Sequence, residues 1–116
     1  MANCNALVWV GRSLRDFKEF PAAVREELNL SRREVQQGRH PAGGKPLKGF
    51  GGGSVLELSV GAREGAFRVV YAVKFRDRVC VLHCFQKKSS SGIKTSQQDM
   101  DIIKQRLRVA EKEYGK

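Results

Sequence analysis

Between Phe67 and Phe85 the chain alternates in a way that leaves few folds open. In Phe67–Phe75, the side chains of Phe67, Val69, Tyr71, Val73 and Phe75 fall on one face of an extended chain, with Arg68, Val70, Ala72 and Lys74 on the other. Val79–Phe85, reading VCVLHCF, is apolar on both faces, the pattern of a central strand covered above and below. Arg76-Asp77-Arg78 is a short polar link between them, so the two strands are expected to pair as a hairpin. A further strand precedes them at Val55–Val60, where Leu56, Leu58 and Val60 share one face and Glu57 and Ser59 the other.

The flanks supply what covers this sheet. Leu7-Val8-Trp9-Val10 suits a short strand, with Trp9 among aliphatics as a sheet anchor. Ser13 is placed to cap a short helix, with Leu14 and Phe17 three apart and Asp16 in the first turn. Pro21 opens a second helix in which Val24, Leu28 and Val35 recur at helical spacing, and Gly38 stops it. Residues 39–54 hold six glycines and two prolines, a composition that predicts a loop; they lack the residue order of a nucleotide-binding P-loop. Thr95 and Gln98 stand at capping-box spacing ahead of Met100, Ile103, Leu107 and Ala110, which form the apolar stripe of a last helix. The order β-α-α-β-β-β-α predicts a single α+β domain over residues 1–116: a twisted, mainly antiparallel sheet with helices covering one face.

Composition removes several function classes. No apolar run approaches the roughly 20 residues of a membrane span, and the N-terminus lacks the pattern of a secretion signal. A soluble cytoplasmic domain without membrane partners is expected. Three cysteines, two of them (Cys80 and Cys84) inside the apolar strand, do not make a disulfide framework. His40 and His83 are the only histidines and there is no Cys-x-x-Cys, so neither a metal site nor a cofactor is expected. Neither histidine sits in a nucleophile-elbow setting, and the basic half of the chain offers no paired carboxylates for hydrolytic work.

What the chain offers instead is cationic. It carries 22 Lys and Arg against 12 Asp and Glu, a net charge of +10. Residues 41–98 hold ten of those basic side chains and only Glu57, Glu64 and Asp77 as acids, so the excess is centred on the strands. A field of that sign favours a polyanion, nucleic acid above lipid. Arg68 is the informative cation. A charge amid FRVVYAV is costly to bury, and two arrangements accommodate it: an ion pair with Glu57, or an open face on which Arg68, Lys48, Lys87 and Lys88 gather phosphate. RNA cleavage fits such an inventory, because the ribose 2′-OH is the nucleophile and the protein has only to orient it and neutralise developing charge.

Several blocks resemble a known family. PLKGFGGGSVLELSV, FRVVYAVKF, VCVLHCFQKK and GIKT with the DIIKQRL helix, together with SLRDFKEFPAAVREELNLSRREVQQG, are similar to the phage-derived branch of the RelE/HigB-like toxins of bacterial type II toxin–antitoxin modules. The resemblance implies a RelE-like fold and an mRNA endonuclease acting on the translating ribosome, neutralised by an antitoxin that resembles a small helix-turn-helix protein. It implies catalytic or phosphate-binding roles for Arg68, Lys48, Lys87 and Lys88, and a base-stacking or core role for Phe85. RelE relies on a tyrosine near its C-terminus, whereas here only Tyr114 is available; His83 stands between a proton carrier and a core histidine, and the general acid is unassigned. Many branch members carry Arg where this chain has Ser59, one phosphate contact fewer. Two other classes stay open: a non-catalytic RNA- or ribosome-binding module, and a basic phage-derived interaction protein.

Overall fold

The computed structural model describes residues 5–39, 41, 44–50, 53–63, 65–87 and 95–115. Its elements run β1 (Ala6–Trp9), α1 (Ser13–Lys18), α2 (Ala22–Gln36), β2 (Gly44–Pro46), β3 (Val55–Ala62), β4 (Gly65–Ala72), β5 (Arg78–Lys87) and α3 (Gln97–Tyr114). The strands form a five-stranded sheet in the order β1-β5-β4-β3-β2, with β1 parallel to β5 and every other neighbour antiparallel. This is the expected order with one addition. Within the glycine-rich stretch read as loop, β2 pairs with β3 through Gly44↔Leu58 and Lys45↔Glu57; Pro46 is tolerated because β2 is an edge strand.

The helices do not cover one face. They cover both, and this corrects the expectation. On one face Phe17 of α1, Phe20 of the link after it, and Val24 and Leu28 of α2 pack on Leu56, Leu58, Val60, Phe67, Val69 and Tyr71. On the other, Ile103 and Ala110 of α3 pack on Val55, Val70, Ala72, Cys80 and Leu82. The physical reason is visible in β5 itself. A strand apolar on both sides leaves Val79 and Val81 on one face and Cys80 and Leu82 on the other, all buried, and each set needs its own cover. The aromatic row also ends sooner than its alternation suggests: β4 stops at Ala72, Val73 is exposed, and Phe75 turns into the α3 core.

One irregularity decides what shares a face with what. Val70 pairs with His83 and Tyr71 with Val81, so Leu82 is an extra residue in β5, a β-bulge. Strict alternation would place His83, Phe85 and Lys87 with Val79 and Val81, under α1 and α2. The bulge reverses the phase and turns them to the α3 face. It is held from two sides. Arg106 of α3 donates to the Leu82 carbonyl at 2.9 Å, and Ser13 donates its hydroxyl to the Val81 carbonyl at 3.2 Å. Ser13 is therefore the first residue of α1 with its side chain turned inward, not its cap. Gly11 lies beside this junction at φ +59°, where an added Cβ would come within 2.9 Å of Arg106 Nε, so neither conformation nor space admits a side chain.

The helix ends follow simple chemistry. Gly38, at φ +80°, terminates α2 as its position predicts. The cap of α3 is Ser96, one residue after the expected Thr95: its Oγ accepts from the Asp99 amide at 3.1 Å. Thr95 instead donates to Glu57 at 3.3 Å, tying the start of α3 to β3. Among the described residues no helix is long and apolar enough to cross a membrane.

Candidate nucleic-acid interface

The register across β2, β3, β4 and β5 lays out three rows on the α3 face. The first is Lys45, Glu57, Val70 and His83; the second is Ser59, Arg68 and Phe85; the third is Gly61, Ala66 and Lys87. The first turn of α3 lies over the first row, through the Asp99–His83 and Thr95–Glu57 contacts. The second and third rows extend beyond it. Ser59 is exposed and Lys87 half-buried, and among the described residues a Cβ built on Gly61 meets nothing within 4 Å.

Arg68 is not a free cation. It is 7% exposed, and its Nη1 lies 3.2 Å and 3.3 Å from the two carboxylate oxygens of Glu57. Of the two arrangements that the sequence admits, the ion pair forms, and it forms on the same face as the other cations. Lys87 is Arg68's diagonal neighbour across the β4–β5 ladder, a geometry that usually separates Cβ atoms by about 7–8 Å. Lys48 is exposed on the turn after β2, where the Leu47 amide bonds to the Val55 carbonyl at 2.9 Å. That places it at the far end of β3 from Ser59, about 13 Å along the strand. The structure thus brings Arg68 and Lys87 together and sets Lys48 apart; Lys88 lies outside the described residues, as do Cys4 and His40.

Sequence reasoning missed Lys45. Its register opposite Glu57 makes it a cross-strand neighbour of the ion pair, and it is exposed. The only signal was the position of β2, which the glycine and proline content concealed.

His83 is 6% exposed and fully engaged. Its Nε2 lies 2.8 Å from Asp99 Oδ1, and Nδ1 lies 3.4 Å from Arg106 Nη1. Arginine can only donate, so Nδ1 accepts and Nε2–H donates to Asp99, which assigns the neutral tautomer. The ring stacks on Phe85 at a centroid distance of 4.7 Å and an interplanar angle of 17°. A satisfied interior histidine is what the geometry gives. Tyr114 is at the opposite end of α3 from Asp99, about 22 Å along a helix axis. There it packs edge-on to Phe75 and lies under the Arg78 guanidinium at 4.2 Å. It does not reach the rows. Among the described residues no three His, Cys, Asp or Glu side chains gather as a metal site.

The exposed position beside Arg68 gives a direct test of this surface. Ser59→Arg should tighten binding to single-stranded RNA and steepen the slope of log K against log salt by about 0.7, the increment for one added phosphate contact on a single strand. Binding isotherms at several salt concentrations would check it; an unchanged slope would mean the face is not where phosphate binds.

The sheet order, its one parallel pair and the placement of helices on both faces define a RelE-like α+β fold. The structure superposes on free E. coli toxin RelE carrying two arginine replacements with a TM-score of 0.55 at 19% identity, covering 91% of this chain and 97% of that one. It matches isolated E. coli RelE with a TM-score of 0.54 at 20% identity, covering 87% and 97% of the two chains. A chain of the intact E. coli RelBE toxin–antitoxin complex gives 0.54 at 24% identity, covering 73% and 99%. By sequence, residues 15–108 match the family described as Phage derived protein Gp49-like (DUF891), and the chain belongs to that family. No curated protein matches it.

Proposed function

We propose that this chain is the toxin of a type II toxin–antitoxin pair, a cytoplasmic endoribonuclease that cleaves mRNA on the translating ribosome. The observation that carries the proposal is the bulge-phased α3 face, on which Arg68, Phe85 and Lys87 meet beyond the start of α3, with Lys45 one row away on the edge strand. Family membership and the fold shared with E. coli RelE support it. The ribose 2′-oxygen bonds to phosphorus as the bond to the 5′-oxygen breaks, leaving a cyclic phosphate and a free hydroxyl. Lys87, with Lys88 beside it in sequence, holds the scissile phosphate. Lys45 and, further along the same direction, Lys48 hold the strand on one side of it, and Arg68 supplies fixed positive charge behind them. The partner is an antitoxin with a helix-turn-helix domain and an acidic segment that lies over these cations; E. coli RelE has been seen in complex with its antitoxin.

A second reading, RNA or ribosome binding without cleavage, is favoured by two particular features. Glu57 already neutralises Arg68, and Tyr114 is remote from the rows. One experiment separates them. Induced expression should arrest growth and yield new mRNA 5′ ends within codons, and Lys87→Ala should abolish both while leaving the thermal melt unchanged, since Lys87 is the last residue of β5 and not one of the buried residues. RNA binding with no new 5′ ends would establish the second reading instead.

A further inference from the structure

The core beneath α1 and α2 is incomplete at the end where α2 stops. A cavity of about 170 Å³ opens there, between the last turn of α2, the start of β3, the end of β4 and the start of β5. Protein interiors hold few voids larger than a water molecule, so a space of this size is unusual in a packed core. Val35, Leu56 and Val79 line it and are buried; Arg39 and Val73 line it and are exposed, so it opens to solvent on their side.

The polar group in its wall is Tyr71. The residue is 3% exposed, yet among the described residues no hydrogen bond engages its hydroxyl. Gly44 makes room for that hydroxyl, since an added Cβ would come within 3.2 Å of it. Burying a hydroxyl without a partner is costly, so Tyr71 gains from any ligand that brings one. The charge around the cavity has a single sign. Arg39 follows Gly38 in the turn that ends α2: its amide bonds to the Glu34 carbonyl at 2.9 Å and the Gly38 amide to the Val35 carbonyl at 3.0 Å. Arg78, the other cation, is steadied by the Tyr114 ring at 4.2 Å. Among the described residues neither arginine makes an ion pair, and no acidic side chain lines the cavity.

We propose that this cavity is the anchor site for a segment of a partner protein in which one side chain of single-ring size, with a polar tip, stands between carboxylates. The ring fills the space, its tip bonds to the Tyr71 hydroxyl, and the flanking Asp or Glu side chains meet Arg39 and Arg78. Size selects a single side chain. Pockets that enclose a whole small molecule run to about 300–1,000 Å³, whereas a cavity of about 150 Å³ holds one benzene ring. The walls select a peptide over RNA: they are aliphatic, and the one ring among them is buried, so a base finds no face on which to stack. The inference stands apart from the RNA reading. The cavity lies on the α1 and α2 side of the sheet, and Arg78 and Lys87 are the two ends of β5, about 30 Å apart along a strand.

The test uses the full chain and fluorescein-labelled peptides followed by anisotropy. The probe is Asp-Glu-Tyr-Glu-Asp, with Asp-Glu-Gly-Glu-Asp as a control of equal charge without an anchor and Asp-Glu-Phe-Glu-Asp as one without the polar tip. The Tyr probe should bind about tenfold or more tighter than the Gly control. Tyr71→Phe should weaken the Tyr probe by about two- to tenfold while leaving the Phe probe and the thermal melt unchanged, a split that a merely structural tyrosine would not produce. Arg39→Gln should weaken all three probes, because each carries the same carboxylates. Equal affinity for the Tyr and Gly probes would mean that charge alone holds the peptide and overturns the anchor site. Absence of binding, or an equal loss for the Tyr and Phe probes in Tyr71→Phe, overturns it as well. An octa-adenylate RNA whose affinity falls in Tyr71→Phe would assign the cavity to a base instead. Every other probe is a peptide and cleavage is not read, so failure of the anchor site leaves the nuclease reading where it stands.

Discussion

Replacing Arg68 by alanine should cost about 3–5 kcal/mol of folding stability, the loss expected when one partner of a buried ion pair is removed. The side chains of Arg68 and Glu57 are 9% and 14% exposed, so neither charge can recover much hydration when the other is deleted. In Arg68→Ala the Glu57 carboxylate would keep only the Thr95 hydroxyl among the side-chain bonds described for it, in a site closed by β4 and the start of α3. Glu57→Ala should also lower stability, because it removes the carboxylate that faces the more deeply buried charge of the pair. The double variant Glu57→Leu/Arg68→Met should cost less than either single one, since no uncompensated charge remains. Urea denaturation of the four proteins measures the comparison. A loss below about 1 kcal/mol for Arg68→Ala would put the pair in the class of solvent-screened surface bridges and contradict the geometry. The result bears on function as well. Loss of toxicity in Arg68→Ala is interpretable only alongside a stability measurement, whereas Lys87→Ala and Ser59→Arg act at positions where the fold has little at stake.

What the sequence made legible, and what it did not, divides along a physical line. Val24, Leu28 and Val35 on a helix, Leu56, Leu58 and Val60 on a strand, and the two-faced run VCVLHCF are local patterns, and each gave its element. The Arg68–Glu57 pair was within reach because both residues sit on alternating strands whose pairing follows from a short turn. The bulge at Leu82 was not. It inserts no recognisable residue type, and a run that is apolar on both faces reads the same whichever phase it has. Yet the bulge decides whether Phe85 and Lys87 join Arg68 or disappear under α1 and α2. Lys45 was hidden for the related reason that a three-residue edge strand of Gly-Lys-Pro has no periodicity to detect. The candidate site was thus readable as a set of charges but not as a surface, because the surface depends on registers that only tertiary packing selects.

Above about pH 9 the protein should lose stability steeply, and Cys84 should account for the first part of the loss. Burial pushes the Cys84 thiol up to about 12 from an ordinary value of 9.0, with Asp16 adding to the shift and Arg106 opposing it. Burial likewise raises Tyr71 to about 12 from 10.0. Below pH 9 both groups are protonated whether the chain is folded or not, so neither makes stability depend on pH. Between the ordinary value and about 12 the unfolded chain releases the proton and the folded chain retains it. The unfolded state then binds fewer protons, and stability falls with rising pH by up to about 1.4 kcal/mol per unit for each group. Falling lysine charge works the other way, since it relieves the repulsion of a chain with net charge +10, so the wild-type curve alone cannot assign the loss. Cys84→Ala can. Loss of the buried thiol should lower stability by about 1 kcal/mol at pH 7 through the small cavity it leaves. The variant should nonetheless hold its urea midpoint further into alkali, so that the two curves converge and then cross between pH 9 and 11. Parallel curves for the two proteins across that interval would mean that the Cys84 thiol reaches solvent in the native state, and the core beneath α1 would have to be looser than its packing against Val69 and Val81 implies.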